Sequence, residues 1–162
     1  VSAMSGHVSA CPNHQTQRIT PLNTRGAIAS LGATGYELDL TKISSEEKEQ
    51  IKTQIRDYKA IDQLVLRGDL YRLKEPFKDD YFSVMLVSKD KSSAYVVGER
   101  FRGVPADFNS AVKLIGLDLD RRYAIEELGL TASGRTLANA GVLLPRLPDY
   151  GSWTWHIYEI DK

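Results

Sequence analysis

The chain has 162 residues, 42% hydrophobic and 26% charged, enough for one ordinary domain, or one domain plus a piece of another, around a real core. That balance excludes disorder, collagen-like repeats and coiled coils. Lysine plus arginine equals aspartate plus glutamate at 21 each, so there is no excess positive field for a nucleic-acid backbone or an anionic membrane, and neither is expected as a partner.

The chain opens Val1-Ser2-Ala3 and its first methionine is Met4, an opening expected of a truncated sequence. Residues 1 to 35 are punctuated by Pro12, Pro21, Gly26, Gly32 and Gly35 and read mostly as loop, with a short helix near Arg25 to Leu31. A loop of that length in a compact domain signals function, a misread element, or packing partners that lie elsewhere. "YELDL", residues 36 to 40, has the two-residue alternation of a strand. Ser44 with Glu47 three residues on makes a capping box that starts a helix. Ile51, Ile55, Tyr58, Ile61 and Val65 give that helix its apolar stripe, and Gly68 stops it. A strand feeding a capped helix is one βα unit, which cannot bury its own faces alone.

Beyond Gly68 the period becomes that of strands, about seven of them: "DLYRL", "YFSVMLVSK", "SAYVVGERF", "AVKLIGLD", "RRYAIEEL", "TLANAGVLL" and "SWTWHIYEI". Short turn signals separate them, among them Lys89-Asp90-Lys91-Ser92 and Pro148-Asp149-Tyr150-Gly151, the spacing of an antiparallel sandwich. The organisation is therefore a βα piece followed by a compact β domain, with the boundary near residues 66 to 70.

The stretch "GHVSACPNHQTQR" concentrates the polar chemistry. His7, Cys11 and His14 present ligand types that zinc accepts, but a structural site takes about four ligands and this stretch offers three. Cys11 and His14 could form a thiol–imidazole pair, yet no helix N-terminus or oxyanion loop stands behind Cys11, and a small buried apolar role suits it better. No metal or other cofactor is expected. The acidic pairs Asp79-Asp80, Glu126-Glu127 and Asp118 with Asp120 sit at turn signals, where carboxylates bond the local backbone. In the last strand Trp153, Trp155 and Ile157 share one face and Thr154, His156 and Tyr158 the other, which is either sandwich core or a sugar-stacking platform. The platform version makes the chain a stand-alone carbohydrate-binding β-sandwich module. With a single cysteine, no apolar run near the roughly 20 residues of a membrane span and no signal-peptide pattern, a cytoplasmic setting is expected.

One long run decides among these readings. Gly6-His7-Val8-Ser9, Pro12-Asn13-His14-Gln15-Thr16, Arg18-Ile19-Thr20-Pro21, Thr24-Arg25-Gly26 and Gly35-Tyr36-Glu37-Leu38-Asp39-Leu40 together closely resemble the C-terminal end of the catalytic barrel in family 36 glycoside hydrolases, the bacterial α-galactosidases. The likeness continues through "DYKAIDQLVLRGDLYRL", "GLDLDRRYAIEE", "SGRTLANAGVLLP" and the tryptophan-rich last strand. It departs at Gln17, where the family pattern has glycine, and at Leu119, where proline is common.

The resemblance implies a mainly β chain: the last βα unit of a TIM barrel over residues 1–67, then a C-terminal antiparallel β-sandwich domain over 68–162. It implies a retaining α-galactosidase acting on terminal α-galactosyl residues of oligosaccharides such as melibiose and raffinose. It implies partners too: the α-galactoside substrate, the remainder of the chain's own barrel, and further copies in a homo-oligomer. The family's nucleophile and acid/base aspartates, the two carboxylates of a retaining glycosidase, lie in Lys-Trp-Asp and Ser-Asp-Asn/Asp motifs that do not occur here. No catalytic residue is therefore expected in this chain, and the fragment is expected to be inactive by itself. His7, Asn13, His14 and Arg18 are the substrate-binding candidates at the barrel mouth, where such barrels carry their functional loops, with bracing of that loop the favoured role.

Overall fold

The computed structural model describes residues 3–105 and 110–160; the opening Val1-Ser2 lies outside them. The N-terminal piece is two βα units. Strand β1 (Ser5–Ser9) runs parallel to β2 (Ala33–Glu37), in register from Ser5 opposite Ala33 to Ser9 opposite Glu37. Helix α1 (Leu22–Ala29) connects them on one side. Helix α2 (Ser45–Arg67) follows and opens on the expected capping box: the Glu47 N–H donates to Ser44 Oγ at 3.2 Å and the Ser44 N–H to Glu47 Oε2 at 2.9 Å. Val8, Leu22, Ala29 and Ile51 form a small core here, with Tyr36, Leu38 and Ile43 against it.

Three sequence expectations need correction in this piece. Strand β1 lies where loop is expected, because only Val8 in it is fully buried and it carries no visible alternation. The strand expected over 36–40 lies earlier: Leu38 still packs inward, but Asp39 turns the chain by accepting bonds from the Thr41 N–H and hydroxyl. In α2, Ile51, Ile61 and Val65 are buried as expected, whereas Ile55 is exposed. Gly68 ends the helix by close approach, since a Cβ there would press on the carbonyl oxygens of Leu64 and Val87.

The β domain is built on six strands: β3 (Asp69–Lys74), β4 (Tyr81–Val87), β5 (Ser93–Arg100), β7 (Arg122–Ile125), β8 (Leu130–Ser133) and β10 (Gly151–Glu159), in the order β3-β4-β5-β10-β7-β8, all antiparallel. A two-stranded ribbon, β6 (Ala111–Val112) with β9 (Val142–Leu143), lies apart from it. Both faces of the six-stranded sheet are covered. On one, Val84, Leu86, Tyr95 and Val97 meet Ala27, Ile61 and Val65 of the two helices and Leu31 just beyond α1. On the other, Met85, Val96, Trp153, Trp155 and Ile157 meet Val112, Leu114, Leu117, Leu137 and Val142. A large aromatic side chain removed from water contributes about 4–6 kcal/mol, so Trp153 and Trp155, both buried, are among the main stabilisers of this face. Their burial removes the sugar-stacking platform and, with it, the reading as a stand-alone carbohydrate-binding module.

The strands expected in "AVKLIGLD", "RRYAIEEL" and "TLANAGVLL" are shorter or different in kind. Only Ala111–Val112 of the first pairs, and Leu114 and Leu117 reach the core from irregular chain. The second stops at Ile125 and becomes a 3-10 turn at Glu126–Leu128, after which β8 begins. The third begins inside helix α3 (Gly134–Asn139), capped by Ser133 Oγ accepting from the Thr136 N–H at 3.1 Å, and pairs as strand only at Val142–Leu143.

Candidate functional site

Because β1 and β2 are parallel, their C-terminal ends lie together, and the loop over 10–20 leaves β1 at that end. In a barrel of such units this end is the mouth. The loop is built by its own side chains. Asn13 Oδ1 accepts from the N–H groups of Gln15 and Thr16, both at 3.0 Å, and its backbone closes the turn through Asn13 N–H to Arg18 O and Gln17 N–H to Asn13 O. That closure places Gln17 at φ 56°, in the left-handed region. A glycine takes this conformation freely, whereas Gln17 holds it with an ordinary side chain. Residues 1–36 contain no aspartate or glutamate, so the loop offers no acid/base carboxylate.

Arg25 holds both ends of the loop at once: Nη1 donates to Ser9 O at 2.6 Å and Nε to Thr20 O at 3.0 Å. A further anchor ties it to the β domain. The Arg18 guanidinium lies over the Tyr150 ring, 5.2 Å from its centroid, and Thr24 Oγ1 donates to Tyr150 O at 2.7 Å. Tyr150 is fixed in turn by its N–H donating to Arg100 O at 2.7 Å. Beside this junction a cleft of about 390 Å³ is lined by His7, Ser9, Thr20, Arg25 and Glu99. Burial pushes the Glu99 carboxyl above the usual carboxylate range, and the Arg18 charge partly offsets the shift.

The four candidate residues are thus placed differently. His7 projects from β1 and its Nε2 stands 3.3 Å from Glu37 Oε2, an exposed pair of small energetic worth. Asn13 organises the loop, His14 is exposed upon it, and Arg18 turns away to the β domain. Cys11 is exposed, not buried as expected, with its Sγ 3.6 Å from Thr20 O. Among the described residues no group of three or more His, Cys, Asp or Glu is placed to hold a metal ion, and His7, Cys11 and His14 do not converge. Sequence reasoning missed Arg25, Thr24 and Tyr150 as parts of the site. The signal for Arg25 is its place early in α1, where the helix dipole disfavours a cation, so that a specific partner must hold it there.

A second polar cluster sits between the helices and the sheet. His156 Nδ1 and Glu127 Oε1 are 2.5 Å apart, and the His156 N–H donates to Glu127 Oε2 at 2.8 Å, beyond the point where β7 stops pairing with β10. The hydrogen bond to Glu127 raises the His156 pKa against the opposing effect of burial. Burial pushes Glu127 up, but its bonds from His156 outweigh this and lower it. The other acidic pairs are turn fixtures: Asp79 accepts from the Glu75 N–H, Asp80 pairs with Arg102, and Asp118 accepts from the Asp120 N–H.

Two family models match: Melibiase over residues 1–68, and the glycosyl hydrolase family 36 C-terminal domain over residues 81–157. The chain is 43% identical to the α-galactosidase AgaA of Geobacillus stearothermophilus over its whole length, covering 22% of that protein. It is 43% identical over 90% of its length to the bifunctional α-galactosidase/sucrose kinase AgaSK of Mediterraneibacter gnavus, covering 16% of it. Among solved structures, the galactosidase domain of AgaSK superposes with a TM-score of 0.95 at 39% identity, over 98% of this chain and 22% of that one. A variant of AgaA in complex with raffinose superposes at 0.94 with 42% identity and the same coverage. The chain therefore spans about a fifth of the length of these relatives. With the parallel βα units of residues 5–67 and the sheet that follows matching in both sequence and shape, the chain belongs to glycoside hydrolase family 36, as a portion that carries that family's C-terminal domain.

Proposed function

We propose that this chain is the C-terminal part of a retaining α-galactosidase that hydrolyses terminal α-galactosyl residues of oligosaccharides such as melibiose and raffinose. The observation that carries this reading is the match of the whole two-part arrangement to α-galactosidases, including AgaA variants in complex with raffinose and with stachyose. The chain's share of the work is structural: it supplies the last barrel strands, one loop of the mouth and the domain that braces that loop. His7, Asn13 and His14 belong to the mouth in this reading, Asn13 by shaping the loop and His14 by facing the opening. The two catalytic aspartates come from elsewhere in the protein, and the chain alone is inactive. A homo-oligomer in the cytoplasm completes the proposal, in keeping with one unpaired, exposed cysteine.

The test is to express the longer protein in which this sequence lies, alongside residues 1–162 alone, and to follow galactose release from raffinose. Release by the longer protein and none by the short chain supports the reading. No release by either overturns it.

A further inference from the structure

Thr24, Arg25, Arg18 and Tyr150 form one continuous tether from the β domain to the loop over 10–20. Tyr150 is held from both sides: its N–H donates to Arg100 O, and Arg100 Nη1 donates to Leu147 O at 2.6 Å, so the turn before β10 is locked to the end of β5. Its carbonyl accepts from Thr24 in α1, and its ring carries Arg18. Arg25, the residue after Thr24, closes the base of the loop on Ser9 and Thr20. What this tether presents is a closed turn with the exposed hydrogen-bonding side chains of His14 and Gln15 upon it and no carboxylate before Glu37. Side-chain donors and acceptors of this kind suit hydroxyl-rich sugar units, and a loop that leaves a barrel strand at its C-terminal end stands at the mouth, above the strand ends themselves.

We infer that Arg18 and Tyr150 are positioning residues by which the β domain sets the loop over 10–20 as a wall for the sugar units beyond the galactosyl ring, and so tunes preference for oligosaccharides over small galactosides. This rests on the α-galactosidase reading above. An exposed cation–π contact contributes about 0.5–1 kcal/mol, so losing it is expected to raise KM for raffinose roughly 2- to 5-fold.

The experiment uses the full-length enzyme with raffinose and with p-nitrophenyl α-galactoside, in the wild type, Arg18→Ala, Tyr150→Ala and Tyr150→Phe. Expected is a higher KM for raffinose in both alanine variants, with kcat and KM for the aryl galactoside unchanged, and wild-type behaviour in Tyr150→Phe, which keeps the ring. Equal losses on both substrates, or no change on either, would overturn the inference. Arg18 is exposed, so Arg18→Ala keeps the test open if Tyr150→Ala fails to fold. Hydrogen exchange at the Asn13 and Gln17 amides gives an activity-free readout: it should accelerate in both alanine variants, and unchanged exchange overturns the tether itself. A wild type inactive on both substrates overturns the α-galactosidase reading, a result distinct from any of these.

Discussion

The indole of Trp153 lies directly across from Gly98, its registered partner on the neighbouring strand, and fills the space that a Cβ at Gly98 would need. A strand glycine normally weakens a sheet, but here the missing side chain makes room for a larger one from β10. Gly98→Ala should therefore destabilise the chain by about 2–3 kcal/mol through overpacking, read as a lower denaturant midpoint at unchanged m-value. The double variant Gly98→Ala with Trp153→Leu should recover part of that loss, because the clash and the cavity are at the same place.

At Gln17 the chain holds a left-handed conformation with an ordinary side chain. Gln17→Gly relieves that strain, against a greater loss of unfolded-state freedom and the exposed bond from Gln17 Nε2 to His14 O. The balance favours glycine by about 0.5 kcal/mol, visible as a rise of a few degrees or less in Tm. A fall in Tm would show that the side-chain bond outweighs the backbone strain.

The His156–Glu127 pair makes stability depend on pH in a defined direction. His156 is raised in the fold, so its contribution is complete below its unfolded pKa and is lost as pH rises through the raised value. Glu127 is lowered, so its contribution is present above its unfolded pKa and is lost as pH falls through the lowered value. The pair is worth most between the ordinary glutamate and histidine values, near pH 5 to 6. Glu127→Gln should cost about 1–2 kcal/mol at pH 6 and clearly less at pH 9, measured by urea unfolding at the two values. An identical cost at both would contradict a charged pair.

Removing the Ser44 hydroxyl breaks one half of the capping box. Ser44→Ala should cost about 1 kcal/mol, and Ser44→Asp should restore most of it by again accepting from the Glu47 N–H. Circular dichroism during thermal unfolding checks both.

Helix α2 was legible from the sequence because its start and its stripe are local: Ser44, Glu47 and the spacing of Ile51, Ile61 and Val65 are all read within one element. Strand β1 was not, because five residues with one buried position look like loop until β2 lies beside them. The segment "TLANAGVLL" misled for a similar reason. Its alternation resembles a strand, but Ser133 caps a short helix whose Leu137 enters the core from a turn of α3. The candidate site divides the same way. The resemblance pointed to the loop over 10–20, and Asn13's turn is written in neighbouring residues. The anchoring of Arg18 on Tyr150 joins positions over a hundred residues apart, and no local pattern announces it.

The latest of the six main strands in sequence, β10, sits between β5 and β7, in the interior of the sheet. A ribosome must therefore release residues 151–159 before the two halves, β3-β4-β5 and β7-β8, can be zipped together. Until then β5 and β7 each expose a bare edge to other nascent chains. A message that stops short of Trp153 would yield a protein with two half-sheets and no seam between them.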